Sequence, residues 1–482
     1  MKNHIFNTEI LRAYDIRGTY GKTVFEEDAY ALGRSLGSHL AAKGATRVAV
    51  GYDGRISSPI LAKSLVQGLI ACGLDCIDVG LGPTPYLYFS VLHLKVDAGV
   101  MVTGSHNPPE DNGFKIMLKS APFFGEDIQK LGNIAAAGTW VWPKEPGKLS
   151  TDYLMAPYTQ GLLAKTHILK PLKIAWDCGN GAAGCVLPKM LSLIPGSHML
   201  LNAEVNGNFP GHLPDPTKKS NISELIETVI QNKLDLGIAF DGDADRVVAV
   251  DGQGRMLYGD QLLTLFAMAV LRENPGATII GDVKCSDVFF DFVKTEGGKP
   301  VMCRTGHSFI KQKIIETDAV LAGEVSGHYF FKDRYYGFDD GLYAALRLVE
   351  FLTQSTTTLA QYLDVLSQTK MTPEIKLHCL DKHKQDVVAF IADELDELEI
   401  EYSDLDGVRV PGQGGWWLAR ASNTESLVVV RAEAGTSDEL IDLVEFIYLI
   451  LHDNISEEYQ LDLAPLASHL EFLQAKYSKE RP

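Results

Sequence analysis

Three times along the chain, a short apolar strand runs into a glycine-containing loop and then into a helix-length amphipathic stretch. These strands start near Val48, Lys173 and Thr278, so the starts lie about 125 and 105 residues apart. Strands that alternate with helices in this way are typical of α/β proteins. The repetition therefore predicts three similar mixed α/β domains.

The pattern changes near residue 370, where strand–helix alternation gives way to a different order. Residues 384–400 have a helical pattern, two strands flank a loop at 420–426, and Ser437–His452 has the pattern of a closing helix. This order predicts a C-terminal α+β domain. The boundaries we expect are 1–152, 153–254, 255–368 and 369–482, with the four domains around a central cleft. We assign no function to the acidic tail after residue 455.

Charge and hydropathy exclude several classes of protein. With 44 basic and 62 acidic residues, the net charge is −18, which disfavours nucleic acid and anionic membrane surfaces as partners. The longest apolar runs, Leu262–Leu271 and Leu443–Leu451, are shorter than the ~18 residues of a membrane span. The amino-terminal residues lack a signal peptide's apolar segment, and the seven cysteines show no CxxC spacing. We expect a soluble cytoplasmic protein.

The first polar motif is the run from Thr103 to Pro109, TGSHNPP, with Lys115 close behind. Ser105 follows a glycine at the end of a predicted strand, Ala98–Thr103, and two prolines stiffen the loop. A second predicted strand, Phe114–Leu118, would return Lys115 to the same end by a hairpin. This is a candidate nucleophile loop, although it is not the GxSxG elbow of α/β-hydrolases. The alternative is a plain Pro/Asn turn.

The second motif is an acidic loop in which Asp241, Asp243 and Asp245 alternate with small residues and precede Arg246. Three such carboxylates repel one another unless a cation lies among them, and so few hard oxygen ligands suit Mg²⁺. An EF-hand loop is excluded, because its sixth and twelfth positions would be Arg246 and Gly252. We expect the loop to line the surface; the alternative is a solvated acidic turn.

The third motif is Gly323–His328, which follows the predicted strand Ala319–Ala322. Glu324, Ser326 and His328 supply a carboxylate, a hydroxyl and an imidazole, a combination that suits the hydroxyl groups of a sugar. A buried structural Glu–His pair fits the same pattern.

The fourth motif runs from Arg420 to Glu425, RASNTE, with Arg431 on the next predicted strand. Backbone N–H groups, two hydroxyls and a guanidinium in such a run can bind one phosphate group. A β-turn with a surface arginine is the alternative.

These four loops, in this order, closely resemble those of the α-D-phosphohexomutase superfamily over roughly residues 5–455. The motifs YDIRG, TGSHNPPEDNGFKI, DGDADR and GEVSGH are similar to those of its bacterial phosphomannomutase/phosphoglucomutase branch. One departure is Ser426, where the family usually has proline after the RxSNTE run.

The resemblance implies a role for each motif. Ser105 would be the phosphoserine, and one Mg²⁺ per chain would be held by a phosphoserine oxygen with Asp241, Asp243 and Asp245. Lys115 and His307 would handle protons, supported by Arg17, His106 and Arg246. The substrate-binding residues would be Tyr14, Lys284, His307, Glu324, Ser326, His328, Arg420, Ser422, Asn423, Thr424 and Arg431.

The activity implied is the interconversion of hexose 1-phosphate and hexose 6-phosphate, of both mannose and glucose. It proceeds through a hexose 1,6-bisphosphate, which also serves as activator, and we expect a monomer whose partner is the phosphosugar alone. The alternatives are a phosphoglucosamine mutase, a Mg²⁺-dependent sugar phosphatase that uses the same serine, and an inert sugar-phosphate binder.

Overall fold

The computed structural model describes residues 2–119, 121–366, 369–412, 414–422, 425–454 and 459–477. Two units of structure divide the chain. The first comprises the residues up to Ile280 together with Asp291–Val301 and Gly306–Gln361. The second comprises Gly281–Phe290, Met302–Thr305 and the residues from Tyr362 onward.

The chain forms nineteen strands and fifteen α-helices over the described residues. The strands are β1 (Ile16–Thr19), β2 (Arg47–Tyr52), β3 (Asp75–Leu81), β4 (Ala98–Val102), β5 (Asp111–Leu118), β6 (Leu149–Thr151), β7 (Leu172–Asp177), β8 (Gly196–Leu201), β9 (Leu236–Phe240), β10 (Val247–Asp251), β11 (Thr278–Asp282), β12 (Lys299–Cys303), β13 (Leu321–Gly323), β14 (Tyr329–Phe331), β15 (Lys370–Met371), β16 (Ile375–His378), β17 (Val408–Gly412), β18 (Gly415–Ala421) and β19 (Leu427–Ala434). The α-helices are α1 (Glu26–Ala42), α2 (Ser58–Ile70), α3 (Thr84–Leu94), α4 (Glu126–Ala137), α5 (Met155–Ala164), α6 (Leu187–Leu191), α7 (Ser223–Gln231), α8 (Gly259–Glu273), α9 (Asp287–Thr295), α10 (His307–Thr317), α11 (Gly341–Thr353), α12 (Leu359–Leu366), α13 (Lys384–Glu397), α14 (Ser437–Asn454) and α15 (Ala464–Tyr477). Short 3₁₀ helices lie at Thr8–Ile10 and Ala182–Cys185.

The first sheet has the strand order β1-β5-β4-β2-β3-β6. Its strands β2, β3, β4 and β6 are parallel, whereas β5 runs antiparallel to β1 and β4. Because β2 and β4 are parallel neighbours, their carboxyl ends lie at the same edge of the sheet. The register of the β4–β5 hairpin places Met101 opposite Lys115, which is the return that the spacing predicts.

Two smaller sheets follow, with the orders β10-β9-β7-β8 and β12-β11-β13-β14. In the first of them, β7, β8 and β9 are parallel and β10 is antiparallel to β9. All residues of β9 and β10 are buried, as their continuous apolar sequence predicts. The mixed sheets confirm the predicted α/β fold class.

The carboxyl-terminal part of the second unit is an antiparallel sheet, β15-β19-β18-β17, with β16 also paired to β19. Side chains from α13 and α14 pack against it, and they form one apolar core with Trp417 and Val430. This is the predicted α+β domain. The last helix, α15, lies beyond the predicted closing helix, and Leu466, Leu473 and Tyr477 bury its apolar side in the same core.

All seven cysteine thiols are free. Burial raises the pKa of several of them, for example that of Cys76 to about 12, so these thiols are poor nucleophiles. Among the described residues, no helix combines the length and the hydropathy that crossing a bilayer requires.

Candidate active site

Ser105 lies in the loop that connects β4 to β5 and is almost completely buried. Its backbone is in the left-handed region, with φ at 49°, which costs energy for a residue with a side chain. The conformation is fixed locally, because the Ser105 N–H donates to Thr103 Oγ1 at 2.8 Å and the Thr103 hydroxyl donates to Asp53 Oδ2 at 2.8 Å. The Ser105 hydroxyl in turn donates to Asp241 Oδ2 at 2.9 Å.

The aspartate triad follows β9, and the side chains of Asp241, Asp243 and Asp245 are each 0% exposed. The prediction that this loop lines the surface is therefore wrong. The loop turns inward against the serine loop, and Gly242 permits this approach. A Cβ at position 242 would lie 2.4 Å from the Ser105 carbonyl oxygen, so a larger residue would push the two loops apart.

Lys115 projects from β5 into the triad and supplies its buried positive charge. Its Nζ lies 2.7 Å from Asp243 Oδ2 and also donates to Asp245 Oδ2. Burial opposes ionisation of the amine, but Asp243 and Asp245 raise the pKa of Lys115 above its ordinary value. Lys115 is therefore a charged ammonium group that donates hydrogen bonds to the two aspartates.

The triad has the features of a site for a hard divalent cation. One oxygen from each of the three carboxylates lies within 4.8 Å of the others. Burial and the neighbouring Asp245 raise the pKa of Asp241, which is the expected sign of unneutralised charge. Within the described part of the chain, Asp243 Oδ1 has no hydrogen-bond partner. A buried, unpaired carboxylate oxygen beside two others fits a cation with oxygen ligands.

The loop between β13 and β14 contributes a buried histidine to the same cluster. His328 Nε2 lies 3.3 Å from Asp245 Oδ1, and His328 Nδ1 lies 3.0 Å from Glu324 Oε2. Burial and Arg246 lower the pKa of His328, but Asp245 and Glu324 raise it to about 9. His328 is therefore protonated near neutral pH.

The other residues predicted for sugar binding lie beside His328. Ser326 Oγ is 3.0 Å from His328 Nδ1, and Glu324 Oε1 accepts a hydrogen bond of 2.7 Å from the Gly306 N–H. The buried Glu–His pair that the sequence left as an alternative is thus present. Because the pair contacts Asp245, it also belongs to the cluster around the triad.

Arg246 joins the triad to this histidine. Its Nε lies 3.8 Å from Asp241 Oδ2 and 3.2 Å from His328 Nε2. Because His328 is charged, the second distance is a close approach of two cations rather than a hydrogen bond. The carboxylates of Asp241, Asp245 and Glu324 offset this repulsion, so the cluster requires both signs of charge.

Arg17 and Tyr14 come from the amino-terminal YDIRG motif. Arg17 donates to Asp15 Oδ2 at 2.5 Å and to Asn107 Oδ1 at 2.9 Å, which ties the motif to the serine loop. The ring of Tyr14 packs edge-to-face on that of His307, with 5.4 Å between the ring centroids.

Two histidines in this region are neutral. His106 Nδ1 lies 3.2 Å from Ser105 Oγ, and burial and Arg246 hold the pKa of His106 well below its usual value. Burial and Lys311 do the same for the pKa of His307. Among the described residues, neither ring nitrogen of His307 has a hydrogen-bond partner. Both rings can accept a proton, and His307 has its nitrogens available for a substrate.

Family models of phosphoglucomutase/phosphomannomutase match four consecutive segments of the chain. The alpha/beta/alpha domains I, II and III match residues 8–141, 156–254 and 258–369, and the C-terminal domain matches residues 374–450. The chain belongs to this family.

Individual members of the phosphoglucomutase/phosphomannomutase family agree with this assignment. A phosphomannomutase/phosphoglucomutase of Pseudomonas aeruginosa is 44% identical over 436 residues, which cover 89% of this chain and 93% of that protein. A phosphoglucomutase of Neisseria gonorrhoeae is 41% identical over 430 residues, with coverage of 89% and 93%. The crystal structure of a family protein from Burkholderia thailandensis superposes with a TM-score of 0.88 at 38% identity, covering 95% of this chain and 100% of that one.

In this member of the phosphoglucomutase/phosphomannomutase family, the predicted phosphate-binding residues belong to the second unit, as does Lys284, which is predicted only as a substrate-binding residue. Lys284 Nζ lies 2.7 Å from Glu374 Oε1, and Arg420 donates from Nε to Asp406 Oδ2 at 2.9 Å. Arg431 is buried, with its guanidinium 5.8 Å from the centre of the Trp416 ring. Further predicted residues of this loop are Ser422, whose N–H donates to the Leu427 carbonyl at 2.9 Å, and Asn423 and Thr424, which lie outside the described residues.

The sequence reasoning missed two side chains next to the triad and its histidines. Thr84 donates its hydroxyl to Asp243 Oδ2 and its N–H to the Asp243 carbonyl at 2.8 Å. Asp339 Oδ1 lies 2.7 Å from Lys311 Nζ, and Asp339 Oδ2 lies 4.0 Å from His307 Nδ1. The paired acids of FDDGL were a visible signal for Asp339, whereas Thr84 lies in no recognisable motif.

Proposed function

We propose that this protein is a phosphohexomutase that interconverts hexose 1-phosphate and hexose 6-phosphate through a phosphoserine at Ser105. The observation that supports this most directly is the 2.9 Å bond from Ser105 Oγ to Asp241. It places a hydroxyl at the edge of a buried cluster in which acids and cations alternate, and phosphoryl transfer depends on such positioning and charge.

The charges around Ser105 suit a group that gains and loses phosphate. A phosphoserine carries about −1.5 to −2 charge at pH 7, and it would stand beside three carboxylates. Lys115, Arg246 and Arg17 offset part of this charge. One Mg²⁺ per chain, held by the three aspartates and a phosphoserine oxygen, would add positive charge at the transferring phosphate.

In the first half of the reaction, the phosphorus–oxygen bond to Ser105 breaks and a bond forms to a hydroxyl oxygen of the hexose phosphate. The proton of that hydroxyl moves to a ring nitrogen of His307, which is neutral. The Ser105 oxygen that loses the phosphate takes up a proton from Lys115, which is a charged ammonium group before the reaction. Of the predicted proton-handling pair, His307 thus acts as the base and Lys115 as the acid.

In the second half, the bisphosphate turns end over end and its other phosphate transfers to Ser105. The Ser105 hydroxyl proton returns to Lys115, and His307 gives its proton to the sugar oxygen that loses the phosphate. Lys284, Arg420, Arg431 and the loop Ser422–Thr424 hold the phosphate that does not react, in both orientations. Free hexose 1,6-bisphosphate would phosphorylate Ser105 again after accidental hydrolysis of the phosphoserine, so it would act as an activator.

We further propose that the protein is a monomer in the cytoplasm, where seven free thiols are expected to persist.

The sugar is selected by Glu324, Ser326 and His328. The family resemblance implies that this loop binds the 3- and 4-hydroxyls, which glucose and mannose share. A site that forms no required bond to O2 discriminates weakly when O2 changes face, whereas a site that does can discriminate by ~10⁴ or more. The protein should therefore accept both sugars.

The serine assignment is tested by intact-mass measurement after incubation with glucose 1,6-bisphosphate. The native protein should gain one phosphate, and Ser105→Ala should gain none and lose mutase activity. Ser90→Ala is the matched control, since Ser90 is an equally buried serine that donates only to the Tyr86 carbonyl within α3. Full activity of Ser105→Ala would contradict the proposed function.

The substrate assignment is tested by comparing kcat/KM for glucose 1-phosphate, mannose 1-phosphate and glucosamine 1-phosphate. We expect the first two values to lie within about two orders of magnitude. A larger value for glucosamine 1-phosphate would favour the phosphoglucosamine mutase alternative. Release of one inorganic phosphate per substrate consumed would instead identify a phosphatase. Binding of the sugar phosphate without turnover would identify an inert sugar-phosphate binder.

A further inference from the structure

The residues after β2, Asp53-Gly54-Arg55, place a buried arginine beneath the serine loop. The Arg55 side chain is 0% exposed. Its guanidinium donates to four backbone carbonyl oxygens of that loop, those of Ser105 at 2.7 Å, Asn107 at 2.7 Å, Asp111 at 2.9 Å and Pro108. None of the four motifs that carry the family resemblance includes this residue, yet its bonds span the loop from the nucleophile to the start of β5.

Arg55 is itself fixed by the residues around it. Asp53 Oδ2 accepts a bond of 3.2 Å from Arg55 Nε, and the same carboxylate accepts the Thr103 hydroxyl that holds Ser105. The ring of Phe209 lies 5.1 Å from the guanidinium carbon. Phe209 has a φ of 49°, so this ring is held in place by a backbone conformation that is rare for phenylalanine. The guanidinium therefore has one defined position.

The serine loop requires such a clamp for two reasons. Ser105 adopts a left-handed conformation, which persists only where its surroundings impose it. In addition, four carbonyl oxygens carry partial negative charge and would repel a phosphate group on Ser105. Bonds to one buried cation direct these oxygens toward Arg55 and keep them from the side on which Ser105 Oγ meets Asp241.

We propose that Arg55 is a positioning residue that holds Ser105 in the geometry for phosphoryl transfer. This inference rests on the proposed function, because it assumes that Ser105 carries the phosphate. Lysine cannot replace arginine here, since an ammonium has three donors and lacks the planar fork that spans several carbonyl oxygens. Arg55→Lys keeps the charge and removes the geometry, so it isolates positioning from electrostatics.

The experiment measures the rate at which glucose 1,6-bisphosphate phosphorylates Ser105, by rapid quench and intact mass, together with kcat and KM for glucose 1-phosphate. For Arg55→Lys we expect the phosphorylation rate and kcat to fall about 10²-fold, with KM changed less than about threefold. The matched control is Arg34→Lys. Arg34 is equally buried, but it donates to the Val141 carbonyl and packs on Trp140 and Trp142, so its loss should lower the melting temperature only.

Phosphorylation of Arg55→Lys at a rate within about threefold of Arg34→Lys would overturn the inference. If Arg55→Lys does not fold, Phe209→Leu decides, because it loosens the guanidinium without removing it. A phosphorylation rate about fivefold lower in Phe209→Leu supports the inference, and an unchanged rate overturns it. If the native protein takes no phosphate on Ser105, the proposed function fails first and the inference fails with it. If Ser105 of the native protein is phosphorylated normally and the Arg55 variants show the same rate, the inference is refuted and the proposed function still stands.

Discussion

Replacing Lys115 by methionine removes the buried cation that two aspartates share. Lys115 is 3% exposed, Asp243 and Asp245 are 0% exposed, and the Nζ–Oδ2 distance to Asp243 is 2.7 Å. Solvent therefore screens these pairs little. Removing one partner of a buried ion pair costs about 3–5 kcal/mol, because the remaining charge is left uncompensated. Lys115→Met should lose stability on this scale around the acidic loop.

If the triad binds a divalent cation as proposed, adding Mg²⁺ should restore much of that loss, since the cation would bind the same carboxylates. A ligand present at about 100 times its Kd stabilises the folded state by about 2.7 kcal/mol. The increase in stability on adding Mg²⁺ should be larger for Lys115→Met than for the native protein, because the native ammonium group competes for the same carboxylate oxygens. The variant should nevertheless show little mutase activity, since Mg²⁺ cannot replace the lysine at its position.

Hydrogen–deuterium exchange with mass spectrometry measures this effect locally, on peptides from β9 and β10. A loss of about 3–5 kcal/mol corresponds to exchange that is roughly 10²- to 5 × 10³-fold faster in EDTA. Lys130→Met is the matched control, because Lys130 forms an exposed pair with Asp127 at 3.0 Å. Such pairs contribute about 0–1 kcal/mol, so its exchange should not change.

Two results would refute this reasoning. One is exchange of Lys115→Met in EDTA within about threefold of the native protein, which would mean that the buried pair contributes little. The other is a loss of stability in Lys115→Met that has the same size with and without Mg²⁺, which would mean that the triad does not bind the cation.

Arg420→Ala should weaken the binding of 1-phosphate and 6-phosphate sugars together, by about 10- to 150-fold, if one charged contact serves both orientations as proposed. The matched control is Lys376→Ala, which removes an exposed pair with Glu425 and should leave KM unchanged. An effect on one isomer alone would contradict a shared phosphate site. Burial raises the pKa of Asp340 to about 7, so the folded protein keeps a proton that the unfolded chain releases above about pH 4. The free energy of unfolding should therefore fall as the pH rises from about 4 to about 7. Asp340→Asn should flatten that decline in melting temperature between pH 5 and 7, and an unchanged slope would show that Asp340 does not cause it.

The elements with local signals were predictable. The strand predicted at Leu236–Asp241 is β9, Leu236–Phe240, and Val247–Asp251 is β10. Continuous apolar residues between turn residues define both strands without reference to the rest of the chain. The return of Lys115 followed from the length of one hairpin.

The burial of the triad was not predictable, because it depends on distant segments. A run of three acids is ordinarily solvated, and here Lys115 and His328 neutralise it from positions more than 80 residues away along the chain. Arg55 gave no signal either, since its role requires β2 to lie beside β4.

Helix α15 was missed although its signal was present. Leu466, Leu470, Leu473 and Tyr477 recur at helical spacing, and all four pack against the core of the second unit. The acidic residues before this segment make the tail resemble a solvated terminus and obscure its apolar period. The four domain boundaries stay predictions.

The second unit draws on two segments from the middle of the chain, Gly281–Phe290 and Met302–Thr305. Arg409 binds the first of them, through the Val283 carbonyl at 3.1 Å and Asp287 at 2.8 Å. A C-terminal fragment that starts near residue 369 would therefore leave these bonds and the apolar contact of Val283 with Trp416 unsatisfied. Chimaeras between relatives that are joined near residue 369 would combine parts of one core from different proteins. Exchanges that carry Gly281–Phe290 and Met302–Thr305 along with the C-terminal segment keep that core intact. The breakpoints that recombination tolerates should therefore differ from those that the linear sequence suggests.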